Sequence, residues 1–270
     1  MSNFNYKRFG ITFKWTELYL RKNMIKIFAI TLAVYLFILL TNTITESYDG
    51  TPADTQQLTL RSAIRSCGMV YFLWVIISGT WFCPNIKTKQ QRITIKMLPA
   101  TDLEKFLSHM AWLAIQLIGM ALMFCLADVI RVALFEVLGL DWIQWGIPVF
   151  FDMSRVAGDM YILGVKSTAV YAAGMAWVLW AQSLYVLGSI LINRYGALIV
   201  SGIHVILIVA LVWLVARSDT EAAATDIALT ADAATYIALA TFALLGIFNW
   251  ITGYKLYSRM QVVNNKLINL

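Results

Sequence analysis

Six stretches of about twenty apolar residues constrain this chain more than any other feature of its sequence. A helix rises 1.5 Å per residue, so about twenty residues cross the roughly 30 Å hydrocarbon core of a bilayer. The predicted membrane-spanning helices are residues 24–43, 63–83, 106–126, 168–191, 197–216 and 234–253. Only 13% of the residues are charged, against about 25% in soluble domains. The sequence therefore predicts an all-α polytopic membrane bundle of six transmembrane helices, forming a single domain over residues 1–270.

The basic residues divide unevenly between the two sides of this predicted bundle. An even number of spans puts both termini on the same side. That side carries 15 of the 21 Lys and Arg residues and only 3 of the 15 Asp and Glu residues. Because short cytoplasmic loops collect Lys and Arg, both termini are predicted to be cytoplasmic. The same sorting by side explains the net charge of +6 without a nucleic-acid partner, so none is predicted.

The segment ahead of the first span, residues 9–22, is predicted to form an amphipathic interfacial helix. Ile11, Trp15 and Leu18 fall on one stripe of this helix, and a basic stripe holds Lys14 and Arg21. A helix of this kind is suited to the headgroup layer, so membrane lipid is its predicted contact. The alternative interpretation is a positively charged flank that only sets the topology.

The cytoplasmic loop, residues 84–105, has the most distinctive pattern outside the spans. It starts basic, and apolar residues then alternate with polar ones from Ile93 to Met97. Pro99 stops that element, and Thr101 with Glu104 forms a capping box that predicts the start of a helix leading into the third span. The loop is either a structured knob that docks a soluble partner or a solvated loop with a well-made helix start.

The loop also carries a resemblance to a known family. The run from Arg92 to Phe106, with its Met-Leu-Pro-Ala-Thr-Asp-Leu-Glu core, resembles the loop after the second helix in permease subunits of bacterial ABC exporters. These are six-helix proteins that export drugs, antimicrobial peptides and polysaccharides. The resemblance implies a location in the bacterial inner membrane and a coupling loop that sits on a separate nucleotide-binding ATPase subunit. It assigns partner docking to Ile95, Met97, Leu98, Pro99, Ala100, Thr101, Asp102, Leu103 and Glu104.

The same resemblance implies that the chain pairs with a second permease, as a homodimer or a heterodimer. It also implies no cofactor in this chain, with ATP and Mg bound by the partner ATPase. The alternative function is a non-transporting membrane assembly or regulatory protein that docks a cytoplasmic partner through the same loop.

An intramembrane enzyme is the third and least favoured interpretation of the sequence. There is no P-loop motif, and the only histidines, His109 and His204, are too few for a metal cluster. Ser201 and His204 stand three residues apart on one predicted helix, where a nucleophile and its base rarely align. The sequence therefore predicts no catalytic, cofactor-binding or metal-binding residue.

The long connection after the third span, residues 127–167, is predicted to be extracytoplasmic. Aromatic residues between Trp142 and Phe151 are predicted to rest at headgroup depth. Asp128 and Arg131 can pair at i,i+3, and we expect them to form a rim pair just outside the lipid. The third helix either ends at the lipid or continues outward past this pair.

Overall fold

The computed structural model describes residues 4–49, 53–83, 86, 88–139, 144–151, 167–192, 195–218 and 227–260. Within these ranges the chain is helical and contains no strand, which confirms the all-α prediction for them. The helices are α1 (Tyr6–Asp49), α2 (Ala53–Ser78), α3 (Lys89–Met97), α4 (Asp102–Val137), α5 (Ile147–Phe151), α6 (Ser167–Leu191), α7 (Gly196–Ser218) and α8 (Ile227–Arg259). A short 3-10 turn, Gly79–Trp81, follows α2.

Five of these helices, α1, α2, α4, α6 and α8, are long and apolar enough to cross a membrane. The helix α7 has 23 residues and covers the fifth predicted span. The apolar stretch that can be assessed in α7 runs only from Gly196 to Ala210, which is shorter than a membrane crossing. The fold is thus that of a helical chain with five helices of membrane-spanning length, as expected of a membrane protein.

The helix α1 differs from the predicted pair of a separate amphipathic helix and a first span. It is one uninterrupted helix of 44 residues, about 66 Å long at 1.5 Å per residue. Lys22, Asn23 and Met24 join the two predicted parts, and none of them is a proline or glycine that would break a helix. The N-terminal part is helical as predicted, but the helix has no boundary between residues 22 and 24.

The helix α4 continues well beyond the predicted end of the third span at residue 126. It holds 36 residues, about 54 Å, and ends at Val137. Of the two possibilities left open by the sequence, continuation past Asp128 and Arg131 is the one observed. Most of residues 127–167 after that point, namely 140–143 and 152–166, lie outside the described residues.

The structure divides into two compact units, of which the first comprises Met1–Thr16, Val75–Leu113 and Met160–Leu270. Its described core joins the turn after α2, α3, the start of α4, α6 and the end of α8. The core residues are Phe82, Cys83, Ile86, Ile95, Phe106, Leu113, Val186, Ile190, Tyr257 and Met260. The rings of Phe82 and Phe106 meet edge to face with centroids 5.1 Å apart, an arrangement that aromatic pairs favour. This cluster, hereafter the first core, supports the short helix α3.

The helices α6 and α7 of this unit approach each other closely at their turn. Tyr195 takes the left-handed backbone conformation, with φ at +61°, immediately before α7 begins at Gly196. A Cβ atom on Gly188 would collide with the side chain of Val200. The absence of a side chain at Gly188 is therefore what lets the two helices touch here.

The second unit comprises Glu17–Trp74 and Ala114–Asp159. Its described core consists of Tyr35, Leu39, Leu60, Ala63, Ile64, Cys67, Phe124 and Ala127. The short helix α5 packs on this core, because Phe150 stacks on Phe124 with ring centroids 4.0 Å apart. The connection that follows α4 is thus anchored on that helix by an aromatic pair, as well as by the polar contacts described below.

Candidate partner-docking site

The short helix α3 starts at a capping box that the sequence analysis did not single out. The side-chain oxygen of Thr88 accepts a hydrogen bond from the backbone N–H of Gln91 at 3.3 Å. The side-chain oxygen of Gln91 accepts in return from the backbone N–H of Thr88 at 3.1 Å. This reciprocal pair satisfies donors that a helix start leaves unpaired, so it fixes where α3 begins.

The end of α3 and the start of α4 follow the sequence prediction. Leu98, the residue before Pro99, is extended, with φ at −62° and ψ at 131°. The backbone N–H of Thr101 donates to Glu104 Oε2 at 2.8 Å, and the backbone N–H of Glu104 donates to Thr101 Oγ1 at 3.2 Å. The predicted capping box is confirmed. Two capping boxes and a proline therefore define a helix–turn–helix segment from Thr88 to Glu104.

The carboxylate of Glu104 also binds the N-terminal end of α1. Its Oε1 accepts from the backbone N–H of Asn5 at 2.8 Å and from Arg8 Nη2 at 3.0 Å. The Glu104 side chain is completely buried, and the Arg8 side chain is 36% exposed. Glu104 therefore ties together the starts of α1 and α4. The sequence gives no local signal for this link, because 96 residues separate the ion pair.

A second ion pair closes the turn between α3 and α4. Lys96 Nζ lies 3.1 Å from Asp102 Oδ1, and both side chains remain partly exposed. An ion pair with this exposure contributes roughly 0–1 kcal/mol. The Lys96–Asp102 pair thus adds little to the stability of the turn, and the buried contacts of Glu104 contribute more.

The predicted docking residues divide into buried and exposed groups. Ile95 is 1% exposed and belongs to the first core, and Glu104 is fully buried. Neither side chain presents surface to a partner in this structure, so both position the segment from within. Thr101 and Asp102 are half-buried and engaged in the cap and the ion pair, and Leu98 and Ala100 are also half-buried.

The exposed apolar side chains of the segment make up a candidate surface. Met97 is 79% exposed, and Ile93, Pro99 and Leu103 are also exposed. We call these four residues the docking surface. Ile93 was not among the residues that the resemblance assigned to docking, although it belongs to the alternating pattern that drew attention to the loop.

In the N-terminal part of α1, small polar residues are buried while two residues of the apolar stripe are exposed. Thr12 and Thr16 are buried, and the hydroxyls of Thr16 and Ser108 lie 3.4 Å apart. Ile11 and Leu18 are each 62% exposed. Of the predicted interfacial residues, Lys14 and Arg21 are exposed, and Trp15 is half-buried against the first core.

The expected i,i+3 pair between Asp128 and Arg131 forms, and both side chains are buried within the protein. The two side chains are 0% and 2% exposed, and Arg131 Nη2 lies 2.7 Å from Asp128 Oδ1. Asp128 Oδ2 accepts from the backbone N–H groups of Gly146 and Ile147 at 2.7 and 2.9 Å. Arg131 donates to the carbonyl of Gln144 at 2.6 Å. The pair therefore fastens the described residues 144–147, which follow α4 in the chain, to α4.

The side chains of Ser201 and His204 are not hydrogen-bonded to each other in this structure. The Ser201 hydroxyl pairs with the Tyr185 hydroxyl at 2.8 Å. Among the residues that the structure describes, no group of three or more His, Cys, Asp or Glu side chains is placed to hold a metal ion. No known protein family, curated protein or solved structure matches the chain.

Proposed function

We propose that this chain is the permease subunit of an ABC-type exporter. In this function the helices form the translocation path, and a separate ATPase binds the docking surface and drives the motion. The observation that carries the proposal is the segment from Thr88 to Glu104. It is fixed at both helix starts and anchored by the buried Glu104, yet it presents Met97 and its apolar neighbours outward.

The docking surface has the chemistry of a partner-binding element. Exposed apolar patches that are surrounded by polar residues often mark protein interaction sites. Short amphipathic helices commonly bind by laying an apolar face into a groove of a partner protein. The sequence of this chain has no P-loop, so ATP and Mg belong on the partner ATPase.

The anchoring of the segment supports a role in transmitting motion. Glu104 caps α4 and is bonded to Asn5 and Arg8 at the start of α1. A displacement of the docking surface therefore moves the starts of two long helices together, instead of being absorbed in a flexible loop. A rigid link of this kind is what coupling ATP-driven motion to membrane helices requires.

In the proposed topology, six helices cross the inner membrane of a bacterium, and α7 is the fifth of them. Both termini lie on the cytoplasmic side. A helix of 23 residues is about 34 Å long, and α7 carries no charged residue before Arg217. The exposed Ile11 and Leu18, with the exposed Lys14 and Arg21, support lipid-headgroup contact by the start of α1. The complete transporter contains a second permease, either a copy of this chain or a similar one.

The docking surface can be tested by changing its most exposed apolar side chain. We expect Met97→Asp to weaken binding of the proposed ATPase subunit by roughly 30-fold, because a charge replaces the most exposed apolar side chain of the docking surface. Binding is measured by co-purification in detergent, and ATP hydrolysis is measured on the same material. Leu103→Asp is expected to act in the same direction.

The matched control is Val137→Asp at the opposite end of α4. Val137 is 88% exposed, so this variant places the same new charge at a similarly exposed position away from the docking surface. Normal complex formation and ATP hydrolysis by both Met97→Asp and Leu103→Asp would show that the docking surface does not bind the ATPase. If both variants lose a bound partner protein and that partner has no ATPase activity, the assembly or regulatory function is favoured instead.

The topology is tested by labelling single cysteines in intact cells with a membrane-impermeant maleimide. In a variant without Cys67, Cys83 and Cys125, a cysteine at the exposed Glu136 is expected to react from outside. Cysteines at the exposed Gln90 and Lys255 are expected to react only after lysis. Labelling of Lys255→Cys in intact cells would mean that α7 does not cross the membrane. Labelling of Gln90→Cys in intact cells would mean that the proposed orientation is wrong.

A further inference from the structure

The imidazole of His204, on α7, is buried without a hydrogen-bond partner. His204 is 7% exposed, and neither its Nδ1 nor its Nε2 is hydrogen-bonded to any described residue. Buried polar groups in folded proteins are nearly always paired, because an unpaired one costs roughly 1–3 kcal/mol. The imidazole therefore requires a partner that the described chain does not supply.

Aromatic rings surround this imidazole on the side of α6. The ring centroids of Trp177, Trp180 and Tyr185 lie 5.3, 6.0 and 6.3 Å from that of His204. The Tyr185 hydroxyl is bonded to the Ser201 hydroxyl at 2.8 Å, and neither is bonded to the imidazole. The surroundings of His204 are apolar rings, and no described neighbour satisfies its nitrogens.

Among the described side chains of α7, His204 is the last buried one. On the turn side, Gly188 and Val200 are in close contact and both are buried. Beyond His204, every described side chain of α7 from Val205 to Ala210 is exposed. Leu207 and Ile208, three and four residues further along the same helix face, are 43% and 39% exposed. A hydrocarbon chain can therefore lie along this face next to the ring cluster.

The chemistry of the cluster specifies the class of that molecule. A neutral imidazole offers one N–H donor and one acceptor nitrogen. Residues 167–192 and 195–216 contain no charged side chain that could neutralise an ionic ligand. A hydroxyl or an amide both donates and accepts, and a hydrocarbon chain suits the indole rings and the exposed apolar face.

We infer that His204, Trp177 and Trp180 form a binding site for an uncharged amphiphile that carries a hydroxyl or amide group. The imidazole binds the polar group, and the tryptophan rings contact the adjoining hydrocarbon. The site involves no residue of the docking surface, so it stands whether or not the chain is a permease.

The test uses two photoreactive probes, a decanol and the matched decane that lacks only the hydroxyl, each carrying the same diazirine. The full-length protein in bilayers is labelled, and mass spectrometry maps the adducts. We expect about fivefold more labelling by the alcohol than by the alkane on residues 177–180 and 204–210, the ratio that one net hydrogen bond provides. His204→Gln, whose amide also donates and accepts, is expected to retain most of this preference.

Two variants remove the hydrogen-bonding groups with different bulk. In His204→Phe and in His204→Leu, the alcohol and the alkane are expected to label to the same extent. If one of the two variants does not fold, the other one still tests the site. Equal labelling of the wild-type protein by alcohol and alkane, or a preference that survives in the Phe or Leu variant, would overturn the site. Met97→Asp, which tests the docking surface, is expected to label like the wild-type protein.

Discussion

Replacing Asp128 with alanine is expected to lower the free energy of unfolding by about 3–5 kcal/mol, the cost of removing one partner from a buried ion pair. The variant leaves the Arg131 guanidinium buried without its carboxylate. It also removes the acceptor of two backbone N–H groups, those of Gly146 and Ile147. The large effect follows because one side chain satisfies a buried charge and two buried donors together. Chemical denaturation in mixed micelles measures the change.

A matched control for this prediction is Asp102→Ala, which removes a carboxylate from a partly exposed ion pair with Lys96. That change is expected to cost about 1 kcal/mol or less. The double variant Asp128→Leu with Arg131→Met is expected to recover part of the loss, because it leaves no unpaired charge. Equal losses from Asp128→Ala and Asp102→Ala would mean that the buried network does not stabilise the second unit.

The local patterns of the sequence predict much of the helical structure. Periodicity and apolar length locate the helices, and Thr101 with Glu104 marks the start of α4 because a capping box is a contact between residues three apart. The same rule applied to Thr88 and Gln91 would have found the start of α3. These features depend on neighbours in the sequence, so they are visible in it.

The packing face of α1 is a feature that the hydrophobic pattern of the sequence does not predict. In a soluble helix the apolar stripe with Ile11 and Leu18 would face the core. In this chain Ile11 and Leu18 are exposed, and Thr12 and Thr16 are buried. In a bilayer the lipid is as apolar as leucine, so small polar residues gather between helices and apolar ones face outward. Hydrophobicity alone therefore does not tell which side of such a helix packs.

The candidate site also depends on contacts that no local pattern contains. The sequence identifies Glu104 as a capping residue and Arg8 as one of many basic residues near the N-terminus. Their ion pair, and the bond from Asn5, exist only because the fold brings the two helix starts together. The sequence thus predicts the segment that carries the docking surface, but not the buried anchor that makes it rigid.

That anchor leads to the second large expected effect. Glu104→Ala is expected to destabilise the first unit by about 3 kcal/mol, because it leaves the backbone N–H groups of Thr101 and Asn5 without their acceptor and removes the carboxylate paired with Arg8. It is also expected to reduce ATPase binding, although Glu104 contributes no surface. The reason is that the docking surface keeps its residues but loses the fixed turn that presents them. Denaturation and co-purification measure the two effects separately.

Glu104→Gln separates the two parts of this anchor. Glutamine can still complete the capping box, so the turn is expected to persist, whereas the attraction to Arg8 is lost. We therefore expect Glu104→Gln to cost about 1–2 kcal/mol in unfolding free energy and to bind the ATPase nearly as well as the wild-type protein. ATPase binding that is unchanged in Glu104→Ala but abolished in Met97→Asp would show that the surface alone mediates docking. The link from α4 to the start of α1 would then stabilise the fold without taking part in coupling.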